Sequence, residues 1–260
     1  MSLDELRQTA TSLLAGLDAR TPGMPSCRPS ELSIAAAYAL QAEVSRLREG
    51  RGERVIGYKV GCTSAPIQEQ LNVREPIVGR LFDTGSFRSG ARLSHASFAN
   101  LAIEGELAVR LGRDLSGPDV PADACREAIE AVFPVIELHH HVVPADWPPA
   151  HWLVASGGMH AGFVFDEAAS AGHAPSGFAE RLIVRINEAT IGAADGPDAL
   201  IDPVESLRWL CARLARSGRS LRAGQTVLTG SPLNLYPAGP GSRIEVQAPP
   251  LGSSRVEIVP

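Results

Sequence analysis

Three glutamates lie inside strand-like, otherwise apolar runs of this chain. Glu104 and Glu106 fall in the run Leu101 to Leu111, and Glu137 falls in the run Ala131 to Leu138. Side chains two residues apart on a strand project from the same face, so Glu104 and Glu106 are predicted to point the same way. A buried carboxylate is unfavourable unless it is paired or bound to a cation. If the three converge, they form an all-oxygen site suited to Mg²⁺ or Mn²⁺.

The alternative is that Glu104 and Glu106 simply mark the solvent-facing side of an amphipathic strand. Spacing alone favours that interpretation, because such strands are common. Glu137 shifts the balance towards a site, because its run is typical of a fully buried strand and carries a single charge.

Composition and charge narrow the class of protein. With 260 residues, 44% of them hydrophobic and 20% charged, the chain fits one globular domain. Its net charge of −5 does not favour binding to nucleic acid or to an anionic membrane. No apolar stretch approaches the roughly 18 residues that a membrane span requires, and the charged N-terminus is unlike a signal peptide. Four scattered cysteines without a CxxC pair favour free thiols in a reducing cytoplasm.

Helix signals cluster in the first 50 residues. Ser2 and Glu5 have the spacing of a capping box ahead of a leucine stripe. Residues 21 to 29 are predicted to be a linker, and Ser30 is predicted to cap a second helix that ends at Gly50. Further on, Asp202 and Pro203 begin a helix that ends near Gly218. A shorter helix is predicted over Ala122 to Glu130.

Strand patterns fill most of the rest. Strands are predicted at Arg54 to Cys62, Leu101 to Leu111, Ala131 to Leu138, Ala161 to Phe165, Leu182 to Ile191, Thr226 to Thr229, Arg243 to Val246 and Arg255 to Val259. The predicted organisation is a helical cap over residues 1–50 followed by a body over residues 51–260 that is mostly β and forms one integrated domain.

Two further positions are candidates for chemistry. Lys59, in the segment Gly57 to Gly61, could orient or protonate an anionic substrate if it is partly buried beside a metal; the alternative is an exposed lysine. His160 lies in a glycine-rich loop before a strand, where a histidine could act as a general acid or base. The run from His139 to His141 is interpreted as a solvated strand end. His139 nevertheless lies two residues after Glu137 and could face the same side of the strand.

An ordered series of motifs resembles a known family. The motifs are Gly57-Tyr58-Lys59-Val60-Gly61-Cys62-Thr63, Gln68 to Val73, Glu75-Pro76-x-x-Gly79, Ile103-Glu104-Gly105-Glu106, Glu137, Asp146-Trp147 and Leu221 to Gly230. Together they resemble the 2-keto-4-pentenoate hydratase and 4-oxalocrotonate decarboxylase branch of the fumarylacetoacetate hydrolase superfamily. The resemblance covers nearly the whole chain, and the order of the motifs is more specific than any one of them.

The resemblance implies a fold, a cofactor and roles for residues. The fold is α+β, with a mixed β-roll or β-sandwich body behind an N-terminal helical cap, and the assembly is a homo-oligomer or a complex with a related decarboxylase or hydratase. The resemblance implies that Glu104, Glu106 and Glu137 hold Mg²⁺ or Mn²⁺ and that Lys59 faces the substrate. Together with His160 of the glycine-rich loop, Lys59 is an expected catalytic residue. The expected substrate-binding residues are Gly79, Ser156, Gly157, Thr229, Gly230 and Ser231.

The sequence departs from this family in two places. Ile77 stands where the family's hydratases carry an aspartate, and His160 falls about where they carry a serine. Two interpretations follow. Either His160 has taken over proton transfer, with a changed substrate or reaction, or the metal site is kept and efficient hydration is lost.

The expected activity is metal-dependent hydration of a small 2-oxoacid, namely a 2-hydroxy-dienoate or 2-oxo-alkenoate. Decarboxylation of a 2-oxoacid and acylpyruvate-type cleavage of a carbon–carbon bond are alternatives, because all three reactions require stabilisation of negative charge on the C2 oxygen. A non-catalytic partner subunit is the alternative from another class.

Overall fold

Two β-sheets flanked by helices make up the residues that the computed structural model describes, 1–20, 32–144, 147–170 and 179–260. The helices are α1 Leu3–Asp18, α2 Ile34–Gly50, α3 Ala65–Leu71, α4 Ala122–Ala128, α5 Pro149–Ala155, α6 Glu167–Ser170 and α7 Pro203–Ala215. The strands are β1 Val55–Gly61, β2 Ile77–Phe82, β3 Ser86–Arg88, β4 Ala91–Ser94, β5 Leu101–Leu111, β6 Ile129–His140, β7 His160–Phe165, β8 Arg181–Ile186, β9 Ala189–Asp195, β10 Thr226–Leu228, β11 Tyr236–Pro237, β12 Arg243–Gln247 and β13 Ser253–Val259.

The first sheet is mixed and curled. Its strand order is β2-β1-β10-β5-β6-β7-β3, and β11 pairs with the start of β5. The β1–β10 and β3–β7 pairs are parallel, whereas the other pairs are antiparallel. The curl brings β2 against the loop before β7, where a Cβ on Gly79 would lie only 2.3 Å from the carbonyl oxygen of Gly157. The predicted mixed β-roll of the α+β class is confirmed.

The second sheet packs on the outer face of the first. Its strand order is β4-β13-β12-β8-β9. Because side chains alternate along β5, Ile103 and Leu107 enter the core between the sheets, while Glu104 and Glu106 face the inside of the roll. The sheets approach closely at Gly105, where a Cβ would lie 2.4 Å from Cγ2 of Val184. Glycine is therefore required between the two glutamates.

Helices α1, α2, α4 and α7 form where the sequence signals predict helices. Ser2 and Glu5 make both hydrogen bonds of the capping box that begins α1. Asp202 accepts a hydrogen bond from the backbone N–H of Val204 and begins α7. Ser33 caps α2, which ends at Gly50 as predicted. The predicted cap Ser30, the linker at 21–29 and Asp146 lie outside the described residues.

The first two helices and α5 share an apolar cluster at one end of the curled sheet. α1 packs against α2, and α2 packs against α5. The cluster includes Leu13, Leu40, Trp152 and Ile77, each at most 3% exposed. The helical segment therefore contacts the start of β2, which is part of the sheet that carries the glutamates.

One strand prediction is wrong. The segment Leu182 to Ile191 is a hairpin of β8 and β9, in which Ile186 pairs with Ala189. Asn187 and Glu188 both have positive φ, 50° and 71°, as a two-residue type I′ turn requires. The usual Asn-Gly signal for such a turn is absent, and the apolar pattern continues across it. Helices α3, α5 and α6 and strands β2, β3, β4 and β11 were not predicted.

Within the described residues, no helix is both long and apolar enough to cross a membrane. Cys62, Cys125 and Cys211 are free thiols.

Gly105→Ala is expected to lower the free energy of unfolding by about 1–3 kcal/mol, because the new methyl group overlaps Val184 between the sheets. Urea denaturation measures the change. Gly50→Ala is the control: it lies at the end of α2 with nothing within 4 Å of its Cβ position, and it is expected to be neutral or slightly stabilising. Equal effects of the two changes would contradict close contact of the sheets at Gly105.

Candidate metal and catalytic site

Four strands of the curled sheet place five predicted site residues on its inner face. Glu104 of β5 lies directly opposite Glu137 of β6, and Glu106 follows two residues later on β5. Lys59 of β1 faces the same side two strands away, and His160 begins β7. The strand order thus brings together residues that are up to about a hundred positions apart in sequence.

Glu137 lies at the centre of this site and is fully buried. Its Oε1 atom is 2.9 Å from Nζ of Lys59 and 2.7 Å from Nδ1 of His160. Its Oε2 atom is 3.5 Å from Nε2 of His139 but has no hydrogen-bond partner among the described residues. One carboxylate therefore contacts all the basic side chains of the site, while its Oε2 atom accepts no hydrogen bond from the described residues.

His139 is a site residue that the sequence interpretation dismissed. The prediction of a solvated strand end is wrong for this residue, which is 3% exposed. Its Nε2 atom lies 3.3 Å from Oε2 of Glu104, and one ligand atom each from Glu104, Glu137 and His139 lie within 4.8 Å of one another. His139 lies two residues after Glu137 on β6, so the two side chains project from the same face. This spacing was the signal that could have identified it.

The other histidines of the run have different surroundings. His140 points to the opposite side of β6, where its Nδ1 accepts a hydrogen bond from the backbone N–H of Ala99 at 3.0 Å. Burial lowers the pKa of His140 to about 4. His141 is exposed. Alternation along β6 therefore separates His139 from His140, and His141 lies beyond the end of the strand.

Glu106 is 1% exposed, and its Oε2 atom accepts a hydrogen bond from the backbone N–H of Gly230 at 2.9 Å. Burial raises the pKa of Glu106 well above its ordinary value, and the negative charges of Glu137 and Glu104 raise it further. A carboxyl in this position holds its proton until a compensating positive charge arrives.

Opposing effects set the protonation of the basic groups. Burial on its own would lower the pKa of Lys59, but the carboxylates of Glu137 and Glu104 outweigh burial and raise it. The same two carboxylates overcome burial to raise the pKa of His139 to about 9. For Glu137, burial acts to raise the pKa, but the charges of Lys59 and His139 hold it well below its ordinary value. Lys59 and His139 are therefore cations beside an ionised Glu137.

His160 has the opposite character. Burial lowers its pKa and outweighs the hydrogen bond to Glu137, so the ring is neutral at neutral pH. A neutral ring bonded to a carboxylate through Nδ1 carries its proton there. Its Nε2 atom then has a free lone pair, and this buried atom has no hydrogen-bond partner among the described residues.

The residues present fit a divalent cation. Three carboxylates face one side of two adjacent strands, and Glu137 presents a buried oxygen without a hydrogen bond. With Glu106 protonated, the positive charges of Lys59 and His139 balance Glu104 and Glu137. A divalent ion could replace the protons on Glu106 and His139. The oxygen-rich ligand set suits Mg²⁺, and the adjacent imidazole is also acceptable to Mn²⁺.

Glycines enclose the side chain of Lys59. A Cβ on Gly79 would lie 2.9 Å from Cγ of Lys59, and a Cβ on Gly158 would lie 2.9 Å from Nζ. Nζ also lies 3.5 Å from the carbonyl oxygen of Gly158. Both Gly157 and Gly158 have positive φ, 69° and 77°, which favours glycine. Gly79 and Gly158 thus shape the wall around the lysine, and Gly157 packs against Gly79.

The hydroxyl groups of the other predicted substrate-binding residues bond to the backbone. Ser156 donates to the carbonyl of Trp152 at 2.8 Å and accepts from the N–H of Met159. Thr229 donates to the carbonyl of Leu107 at 2.8 Å, and Ser231 donates to the carbonyl of Gly105 at 3.0 Å. These three hydroxyls fix the loops around the site, and contact of these residues with substrate stays a prediction.

Ile77 lies on the same side of β2 as Gly79, two residues away, and is 3% exposed. It belongs to the apolar cluster of the first two helices, which Met159 also contacts. The position at which the resemblance leads us to expect an aspartate is thus part of an apolar wall. Proton transfer by His160 stays a prediction.

Comparison with known proteins identifies the family and the fold. A family model described as "Fumarylacetoacetate (FAA) hydrolase C-terminal" matches residues 59–259. The chain is 31% identical over 230 residues to a 2-hydroxyhexa-2,4-dienoate hydratase of Comamonas testosteroni, covering 87% of each chain. It is 27% identical over 239 residues to a 4-oxalocrotonate decarboxylase of Pseudomonas putida, covering 88% of this chain and 87% of the relative.

A solved structure shows the same fold over the full length. It is the 4-oxalocrotonate decarboxylase from Pseudomonas putida G7 complexed with magnesium and adipate, with a TM-score of 0.86 and 23% identity, covering 100% of this chain and 99% of that chain. The motifs, the fold and these relatives together lead to one conclusion: the chain belongs to the fumarylacetoacetate hydrolase family, in the branch of the 2-keto-4-pentenoate hydratases and 4-oxalocrotonate decarboxylases.

Proposed function

We propose that this protein is a metal-dependent hydratase that adds water to a 2-hydroxy-dienoate or 2-oxo-alkenoate. The observation that carries the proposal is the buried cluster of Glu104, Glu106 and Glu137 beside a cationic Lys59 and a neutral His160. The relative that is 31% identical is a hydratase named for a 2-hydroxy-dienoate, which supports this reaction over the alternatives.

Glu104, Glu106 and Glu137 are the proposed ligands of Mg²⁺ or Mn²⁺, and His139 lies close enough to act as a fourth. When bound, such an ion would supply a Lewis acid to the carboxylate and C2 oxygen of a 2-oxoacid. To hold the ion, Glu106 would have to be ionised, and the hydrogen bond from the backbone N–H of Gly230 would hold its carboxylate in place.

Lys59 is the proposed positioning group for the anionic substrate. Its ammonium lies between the Glu137 carboxylate and the Gly158 carbonyl, and the glycines around it restrict its movement. A 2-oxoacid carries a negative charge and would enter a pocket that already contains three carboxylates. The fixed ammonium of Lys59 offsets part of the resulting repulsion.

His160 is the proposed proton-transfer group. With its Nδ1–H bonded to Glu137, its free Nε2 can take a proton from the dienol or from water and return it to the carbon chain. Glu137 stabilises the imidazolium that forms, because the hydrogen bond from Nδ1 to its carboxylate is charge-assisted. This assignment gives His160 the role that an aspartate at position 77 could otherwise serve.

Decarboxylation of a 2-oxoacid is the second candidate. Ile77 is the observation that favours it, since an apolar side chain cannot activate water and loss of CO₂ needs no water to be activated. Acylpyruvate-type cleavage, a non-catalytic partner role, homo-oligomeric assembly, a complex with a related decarboxylase or hydratase, and a cytoplasmic location stay predictions.

The deciding experiment follows the ultraviolet absorbance of 2-hydroxypenta-2,4-dienoate with the purified protein and Mg²⁺, with mass analysis of products. Loss of the dienol with gain of one water, abolished by EDTA, is expected. Glu106→Gln should remove this activity while the fold is retained. Release of CO₂ from 2-oxo-3-hexenedioate without hydration would assign the protein to decarboxylation, and inactivity on both substrates would reject both proposals.

Affinity for Mn²⁺ is expected to rise with pH. Because Glu106 is protonated in the metal-free site, Mn²⁺ must displace that proton, and Kd should fall about tenfold per pH unit for each proton released while Glu106 remains protonated. Calorimetric titration at about pH 6 and about pH 8 measures this. Glu106→Gln is the control and should bind more weakly with a smaller pH dependence. A Kd that is constant or rises over this range would contradict the protonated Glu106.

His160→Ala is expected to lower kcat by about 10²–10⁴-fold, because the group that transfers the proton is removed. The Kd for Mn²⁺ should change little, since Glu104, Glu106 and Glu137 remain. His141→Ala is the matched control, because this exposed histidine lies outside the site. Unchanged kcat in His160→Ala would return His160 to a purely structural role.

A further inference from the structure

A cavity lies on the face of β1 opposite to the face that carries Lys59. It has a volume of about 280 Å³ and is enclosed by α2, β1, β2 and the C-terminal part of α7. Tyr58 and Arg80 are paired across β1 and β2 and line this cavity, whereas their neighbours Lys59 and Gly79 face the inside of the roll. The sheet itself therefore separates the cavity from the carboxylate site.

Three guanidinium groups line the cavity: Arg80, Arg213 and Arg219. No carboxylate is among the lining residues, and none of the three arginines forms an ion pair with any residue in the described part of the chain. The Nε atoms of Arg80 and Arg213 are buried and lack hydrogen-bond partners there. Arg219 is exposed, but two buried Nε–H donors without an acceptor are unfavourable, which indicates that an anionic ligand supplies one.

The arginines are held in place by their neighbours. Gln41 is 6% exposed and donates to the carbonyls of Val78 and Val154 at 2.8 Å and 2.7 Å. Its Oε1 atom accepts a hydrogen bond from Nη1 of Arg80 at 2.8 Å. The guanidinium of Arg213 lies 3.8 Å from the ring centre of Tyr38. Arg80 and Arg213 are therefore oriented before any ligand arrives.

The electrostatic surroundings also favour an anion. Burial, together with the positive charge of Arg219, lowers the pKa of Arg80 to about 10. Glu49 acts on Arg80 in the opposite direction but makes no ion pair with it. Apolar lining from Val78 and Leu214, with the rings of Tyr38 and Tyr58, leaves room for a short hydrocarbon portion.

We propose that this cavity binds a small organic or inorganic anion through the guanidinium groups of Arg80, Arg213 and Arg219. Carboxylate and phosphate share the chemistry that these planar donors recognise. This site is separate from the one proposed for the metal and the 2-oxoacid, and it does not depend on the proposed function.

Calorimetric titration of the full-length chain with succinate, and separately with inorganic phosphate, tests the proposal. The protein is freed of metal with EDTA, and NaCl of equal ionic strength is the reference. Saturable binding of at least one of the two anions, with one site per chain, is expected, and the better binder identifies the functional group preferred. Arg80→Gln and Arg213→Gln should each weaken binding about tenfold or more.

Arg216→Gln is the matched control, because this arginine follows α7 closely but already pairs with Glu75 at 3.1 Å. It should leave the affinity unchanged. Ser217→Glu places a carboxylate at the exposed edge of the cavity without removing a buried side chain, and it should also block binding. Binding of neither anion beyond the NaCl reference, or equal affinity in Arg80→Gln, Ser217→Glu and Arg216→Gln, would overturn the proposal.

Discussion

The buried carboxylate of Glu137 is the interaction on which the site depends. Taken alone it would be highly unfavourable, and it is tolerated because Lys59 and His160 contact one oxygen and His139 approaches the other. These partners come from three strands, so the curl of the sheet and the charge balance of the site require one another. Protonation of Glu106 completes the balance until a cation binds.

Much of this arrangement could be predicted from the sequence, for a physical reason. The period-two pattern around Glu104 and Glu106 and the single charge in the run around Glu137 both report a strand face, which is a local property. The order of the strands is not local. Nothing in the sequence placed Glu104 opposite Glu137, and only the motif series led to the expectation that Lys59 joins them.

The failures have equally specific causes. His139 was dismissed because burial at the end of β6 depends on strands that pair from elsewhere in the chain. The hairpin at Asn187 was missed because two non-glycine residues adopt positive φ there. Strand β2 went unrecognised, since its central Gly79 weakens the apolar pattern and is needed only because Lys59 and Gly157 lie against it. Division of the chain at residue 50 stays a prediction.

The close approach of the two sheets at Gly105 has a consequence for how this enzyme could change. Val184 and Val246 of the second sheet lie against the backbone between Glu104 and Glu106. They touch no reacting group, yet their volume sets how far β5 projects into the roll. A larger or smaller side chain at Val184 or Val246 could therefore change the separation of the carboxylates. Selection for altered metal preference or rate could act through these valines, although their sheet carries none of the proposed catalytic residues.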